Sequence, residues 1–421
     1  MRKKQKADWD NPLLRVIKII YKGVKKMKKK IRAWMKKITI MIYHLMVKVL
    51  PVQKKVILFE SNLGRNYTGN PRAIYEELIR HGLDKDYQCI WFFENVNKKI
   101  PGNAKIIKRA RLKYLYYMAI GQVWVFDCRQ PEFLIKRKET YYIQTWHGTP
   151  LKKLALDMEH IDPVVCSSIE EYHEEFRKNT ETWDYLISQN RFSTETFRRC
   201  FAFQDKPILE IGYPRNDILF HRNKPESIRR MKKRYELPLD KKIILYAPTW
   251  RDDESNGQGR YKFITPLDFD EARKQLGDEY IFLVKYHYLV ADQIDWSPYE
   301  GFVYSFDETV DISRLYLMAD LLITDYSSVM FDYSILKRPM LFFAYDLENY
   351  KDNLRGFYFD FLAEAPGPIS RDTKTLMEDI QSYQWKDWEE KYEAFRKKYN
   401  HADRGTASEE MMRLICEMVE Q

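Results

Sequence analysis

The run Leu322-Ile323-Thr324-Asp325-Tyr326-Ser327-Ser328-Val329-Met330-Phe331-Asp332 sets the architecture of this 421-residue chain. A buried apolar strand stops at Thr324, and hydroxyl and acidic side chains then open a segment with helical spacing. Asp325 or Ser327 is the residue type that caps a helix start. Thr324, Ser327, Ser328 and the N–H groups of such a junction also form a cradle for an anion. Capping alone is the simpler reading, and the two are compatible.

Outward from this junction the same alternation repeats. Runs at 56–60, 89–93, 123–127, 141–145 and 185–188 read as buried strands, with amphipathic stretches at 71–81 and 111–120 among the segments between them. A second series at 242–246, 280–284, 302–305, 321–324 and 339–343 follows, after a polar helix over 222–239. Strand–helix alternation over this length implies parallel sheets covered by helices on both faces. The expected class is therefore α/β, with two Rossmann-type doubly wound domains facing a cleft. The boundaries read as 53–205 for the first domain, 206–240 for a connecting segment that 207–211 enters ambiguously, 241–400 for the second domain, and 401–421 for a C-terminal helix. Ligands of such sheets gather beyond the carboxyl ends of the strands.

Residues 1–52 form a different kind of segment. The first 50 carry 16 Lys and Arg against two Asp, whereas the rest of the chain has 55 basic and 59 acidic residues. The net charge of +10 thus belongs to the head, and the body is mildly acidic. A nucleic-acid enzyme would place that charge along a groove of its body, so no nucleic-acid partner is expected. Lysines alternate with Trp34, Met35, Ile38, Met41, Ile42 and Leu45 at helical spacing, which describes an amphipathic helix in an anionic headgroup layer. The apolar stretch 38–47 is about half the roughly 20 residues that a spanning helix needs. A secretory signal fits poorly as well. The simpler alternative is a solvated basic helical pair that packs on the body or binds RNA. With hydrophobic residues at 45% the chain has enough apolar surface for two cores, which excludes whole-chain disorder. Five scattered cysteines without a C-x-x-C pair argue against a disulfide framework and for a cytoplasmic location.

Two further strand ends carry chemistry. In Gln144-Thr145-Trp146-His147-Gly148-Thr149-Pro150-Leu151-Lys152 a strand is followed by a histidine able to take a proton near neutral pH, and Gly148 and Thr149 lead towards a phosphate-binding turn. In Phe282-Leu283-Val284-Lys285-Tyr286-His287 the Lys285 and His287 side chains share a face of extended chain and suit a diphosphate. Arg215, Arg251 and Arg355, with Thr249, stand at turns after strands or loops as candidate phosphate ligands. Each of these has a structural alternative, a turn histidine, a polar strand end or a surface ion pair. No P-loop, G-x-G-x-x-G or H-E-x-x-H motif is present, and no metal or other cofactor is expected, although a divalent cation assisting a diphosphate needs no motif.

Taken together, these segments resemble the CDP-glycerol glycerophosphotransferase family of teichoic-acid synthesis. The likeness runs through Phe59-Glu60-Ser61-Asn62-Leu63-Gly64, Asn70-Pro71-Arg72-Ala73-Ile74-Tyr75, the 146–152 segment, Gly212-Tyr213-Pro214-Arg215-Asn216-Asp217, Ala247-Pro248-Thr249-Trp250-Arg251, Thr324-Asp325-Tyr326-Ser327-Ser328, Arg355-Gly356 and Pro366-Gly367-Pro368. The resemblance implies a GT-B fold and transfer of a polyol phosphate from CDP-glycerol or CDP-ribitol to an undecaprenyl-diphosphate-linked acceptor, at the cytoplasmic face of a membrane. It implies two functional histidines at His147, as general base, and His287, on the phosphate side. Glu60, Asn62 and Gly64 would lie on the acceptor side. Gly148, Thr149, Arg215, Thr249, Arg251, Lys285, Thr324, Asp325, Ser327, Ser328 and Arg355 would lie around the donor. Lys285 departs from the arginine expected there and loses the guanidinium fork. The size is similar to that of the primases of the family. A nucleotide-sugar transferase of the same fold is the alternative function.

Overall fold

A computed structural model describes residues 12–161, 166–249, 266–285, 295–307, 309–347 and 356–421, the side chains of 12–20, 22 and 23 excepted. The first sheet contains β1 (Gln53–Glu60), β2 (Gln88–Phe93), β3 (Lys105–Lys108), β4 (Gly121–Phe126), β5 (Tyr141–Gln144), β6 (Tyr185–Ser188) and β7 (Ile208–Glu210). Its order is β3-β2-β1-β4-β5-β6-β7, parallel throughout. The second contains β8 (Lys242–Ala247), β9 (Tyr280–Val284), β10 (Val303–Ser305), β11 (Leu321–Thr324), β12 (Met340–Phe343) and β13 (Ile369–Ser370), in the order β10-β9-β8-β11-β12-β13, also parallel. Both sheets reverse direction beside their first strand, the doubly wound order that opens a crevice at the strand carboxyl ends.

The strands are apolar on both faces because helices cover both. Ile57, Leu58 and Phe59 are consecutive and fully buried. Phe59 stacks on Trp91 and Trp91 on Phe93. On this side lie the helix Gly69–Arg80 and the C-terminal helix Ala407–Glu420, which adds Met411 and Ile415 to the first domain's core. The chain thus returns from the second domain to the first.

The head is one helix, Pro12–Val49. Its last turns dock on the first domain: Tyr43 is buried and exchanges hydrogen bonds with the Ile135 backbone, and a ring nitrogen of His44 lies 3.3 Å from Phe133 O. Tyr21, Met27, Ile31, Trp34, Met35, Met41 and Leu45 remain exposed. No helix among the described residues is long and apolar enough to cross a membrane.

Three strands depart from expectation. β3, Lys-Ile-Ile-Lys at the sheet edge, has too short an apolar run to stand out, and two-residue β13 has almost none. β7 pairs with β6, so the first sheet continues past the expected boundary at 205. The five cysteines are all free thiols.

Candidate functional site

The turn after β5 is unusual in its backbone and in its exposure. Trp146 has φ +50°, in the left-handed region that a bulky residue enters only when its surroundings hold it there. Its indole packs against Phe197 and Phe201, and buried Asn70 donates from Nδ2 to Thr145 O (3.1 Å) and Trp146 O (3.0 Å). Among residues 142–151 only His147 is exposed. The folding of this turn therefore delivers one imidazole to solvent from an otherwise buried segment.

The ring is oriented as well. It stacks on Trp146 with centroids 4.4 Å apart, and Nδ1 lies 2.9 Å from Asp127 O. A carbonyl oxygen only accepts, so the Nδ1 proton occupies this bond and neutral His147 presents Nε2 as a proton acceptor. Buried Asp127 accepts in turn from Ser61 Oγ and Asn62 N, each at 2.8 Å. Burial pushes the Asp127 carboxyl up, and His147, Ser61 and Asn62 offset part of that rise. Asp127, which ends an expected strand, and Asn70, which lies in a resemblance segment, were not among the expected site residues.

Arg215 closes the turn from the other side. It donates from Nη1 to His147 O at 2.7 Å and from Nη2 to Asp332 Oδ2 at 2.5 Å, and its backbone N bonds Asn70 Oδ1. Arg215, expected around the donor, is engaged in this structure by the turn and a buried carboxylate. Thr149, also expected around the donor, has a buried hydroxyl that donates to Gln189 Oε1 at 2.5 Å. Gln189 continues to Asp332 and Asp403, so the turn is wired to the junction between domains.

At Gly148 the histidine turn of the first domain comes against the second domain. A Cβ there would lie 3.0 Å from Ser328 Oγ, so the histidine turn and the Ser327–Ser328 junction face each other. Both serines are partly accessible, and the helix they open, Val329–Tyr333, is short, with no side-chain cap from Ser328. Thr324 and Asp325 serve the strand ends: Thr324 Oγ1 donates to Ala247 O, and Asp325 Oδ1 accepts from Thr249 N, both at 2.8 Å. Lys285 Nζ donates to Asp307 O and Val310 O, each at 2.7 Å, and so ties down the loop after β10. Arg251, His287 and Arg355 lie outside the described residues.

The acceptor-side group divides. Glu60 is 1% exposed and bound by Arg109 Nε (2.8 Å) and Gln130 Nε2 (2.7 Å), which makes it part of the first domain's interior. Burial pushes its carboxyl up, opposed by Arg109 and Gln130. Gly64 has φ +81°, and a Cβ would come within 3.2 Å of Glu94 N and Phe92 O, which explains the glycine structurally. Asn62 contributes its N–H to Asp127, the residue whose carbonyl holds the histidine ring. Among the described residues one group of possible metal ligands occurs, Cys166, Glu171 and Glu175 on the surface near the start of the helix Ile169–Glu181, outside this site.

Comparison with known proteins adds an independent line. Residues 42–417 match the family described as CDP-Glycerol:Poly(glycerophosphate) glycerophosphotransferase. The chain is 44% identical over 409 residues to the teichoic acid poly(glycerol phosphate) polymerase of Bacillus subtilis (strain 168), covering 93% of this chain but 54% of that protein, about half its length. It is 42% identical over 391 residues to the same-named polymerase of Bacillus spizizenii, covering 92% of this chain and 99% of that one. Among solved structures, the wall teichoic acid polymerase TagF superimposes with a TM-score of 0.87 at 40% identity, covering 95% of this chain and 98% of that one. A variant of TagF has also been solved after soaking with CDPG.

Proposed function

This chain belongs to the CDP-Glycerol:Poly(glycerophosphate) glycerophosphotransferase family, and from that premise we propose that it transfers glycerol phosphate from CDP-glycerol to a hydroxyl of a lipid-linked teichoic acid precursor and releases CMP. The observation that carries the reading is the exposed imidazole of His147, its Nδ1 proton engaged by Asp127 O and Nε2 left to accept. The relatives named for polymerising glycerol phosphate favour glycerol over ribitol in the donor.

In this mechanism the acceptor hydroxyl gives its proton to His147 Nε2 while its oxygen bonds to the glycerol-side phosphorus. The bond from that phosphorus to the CMP oxygen breaks, and CMP leaves with the electron pair. Ser327 and Ser328, facing Gly148 across the cleft, supply donors to the phosphate oxygens, and His287 holds or protonates the phosphate side. Positioning and fixed dipoles supply most of the rate in such a site. Binding of the head to an anionic membrane surface keeps the enzyme beside its lipid-linked acceptor. The exposed Trp34, Met35, Met41 and Leu45 among lysines support that role.

The test is CMP release from CDP-glycerol and from CDP-ribitol, with and without a lipid-linked disaccharide acceptor analogue. Acceptor-dependent release from CDP-glycerol is expected. Silence of the folded protein with both donors, together with turnover of a nucleotide sugar, would overturn the reading.

A further inference from the structure

A cleft of about 1020 Å³ opens at the domain junction, between the helix Gly69–Arg80 of the first domain and the helix Pro225–Arg234 that leads into the second. Five cations on its wall, Arg222, Lys224, Arg230, Arg234 and Arg314, have no side-chain hydrogen bond or ion pair among the described residues. Of the other charges of the cleft, Arg72 pairs with Glu76 and Asp311, Arg80 with Glu77 and Arg215 with Asp332, while the Asp217 carboxylate accepts from Ala407 N and Ser408 N. The five therefore serve no visible structural pairing, although the chain beyond residue 50 is acidic on balance. Like charges gathered in a concavity repel one another and focus a positive potential into it. An occupant carrying several negative charges relieves that repulsion, and guanidinium forks match phosphate oxygens.

The cleft has a direction. Its lining includes Gly69 and Arg215 at one end. A Cβ on Gly69 would lie 3.6 Å from Asp127 Oδ2, and Arg215 donates to His147 O, so this end adjoins the turn that carries the histidine. Arg80 lies at the far end of the helix Gly69–Arg80, and Arg230 and Arg234 line the cleft from the helix Pro225–Arg234. Helix rise alone puts roughly 16 Å between residues 69 and 80. The space is thus elongated, cationic, and anchored at one end beside the candidate base.

We propose that this cleft binds a linear phosphodiester polyanion, the already polymerised part of the acceptor, several units behind its reactive hydroxyl. The proposal rests on the glycerol phosphate transfer read above and adds a subsite that senses chain length. Arg230 and Arg234 grip the distal phosphates, while the end beside Arg215 receives the proximal ones.

The experiment uses the full chain and fluorescent glycerol phosphate oligomers of two and of about ten units. The longer oligomer is expected to bind at least about tenfold more tightly, and Arg230→Glu with Arg234→Glu to abolish that gain. Arg229→Glu with Lys233→Glu makes the same charge change on the same helix outside the cleft lining and should preserve it. All four positions are exposed, so folding is not at issue. Because the basic head is common to all three proteins, its attraction for polyanions cancels. A gain that survives the first pair, or is lost equally in both pairs, overturns the proposal. CMP release by the wild-type chain is scored separately: if it is absent the transfer reading fails, while the binding comparison still decides the cleft.

Discussion

His147 is one side chain oriented by several buried ones. It is exposed, so His147→Ala should leave the melting temperature nearly unchanged. CMP release should fall by about two to four orders of magnitude, the usual worth of a positioned general base, and steady-state CMP assays on the folded variant check this. Asn70 gives the contrasting case. Its buried amide holds two carbonyls of a turn that contains a left-handed tryptophan and accepts from Arg215 N. Asn70→Ala leaves those groups without their partner and should cost about 1–3 kcal/mol in urea unfolding. Because it acts through His147, it should lower kcat more than it changes KM for CDP-glycerol. The histidine was legible in the sequence because a strand end followed by His-Gly is chemically conspicuous. Asn70 and Asp127 were not legible as site residues, since a hydrogen bond to a main-chain carbonyl leaves no pattern along the chain.

Among the elements, the head helix was the most legible, because lysines and apolar residues repeat there at helical spacing. What spacing could not separate was the stripe that docks on the protein from the stripe left outside. Tyr43 belongs to the first, with Met46 and Val47, and Trp34, Met35, Met41 and Leu45 to the second. The two stripes should respond differently to mutation. Replacing the four exposed residues by serine should abolish sedimentation with anionic vesicles at physiological salt while turnover of a soluble acceptor is kept. Tyr43→Ala should instead lower the stability of the first domain, by about 3–5 kcal/mol if the cavity cannot collapse, as seen by chemical denaturation. β3 and β13 escaped the sequence reading for the opposite reason. Their pairing depends on neighbouring strands rather than on any periodicity of their own.

For the whole molecule, two parallel sheets were readable from alternating apolar and amphipathic runs, but the junction joining them was not. It is a buried polar network assembled from distant parts of the chain: Thr149, Gln189, Arg215, Asn216, Asp332 and Asp403. Such a network couples the position of the histidine turn to the packing of both domains. Its weak point is a pair of carboxylates, one of which, Asp332, has Arg215 as counter-ion. Asp403 has only neutral donors within reach among the described residues, namely Gln189 Nε2, Tyr213 N, Asn216 Nδ2 and Asn400 Nδ2. Burial first, and Asp332 in addition, push the Asp403 carboxyl up to about 7 from its ordinary 3.8, and the bonds from Gln189, Tyr213 and Asn400 only partly compensate. A folded state that holds the proton more tightly than the unfolded chain is favoured by acid. This contribution to stability is therefore fully present below about pH 4 and is lost as pH rises through about 7. Asp403→Asn cannot release a proton, so the stability of the wild type relative to this variant should decline between about pH 4 and 7. Urea unfolding of both proteins across that range measures the difference directly. A constant difference would mean that Asp403 is ionised throughout, and that its four hydrogen bonds outweigh both its burial and the charge of Asp332.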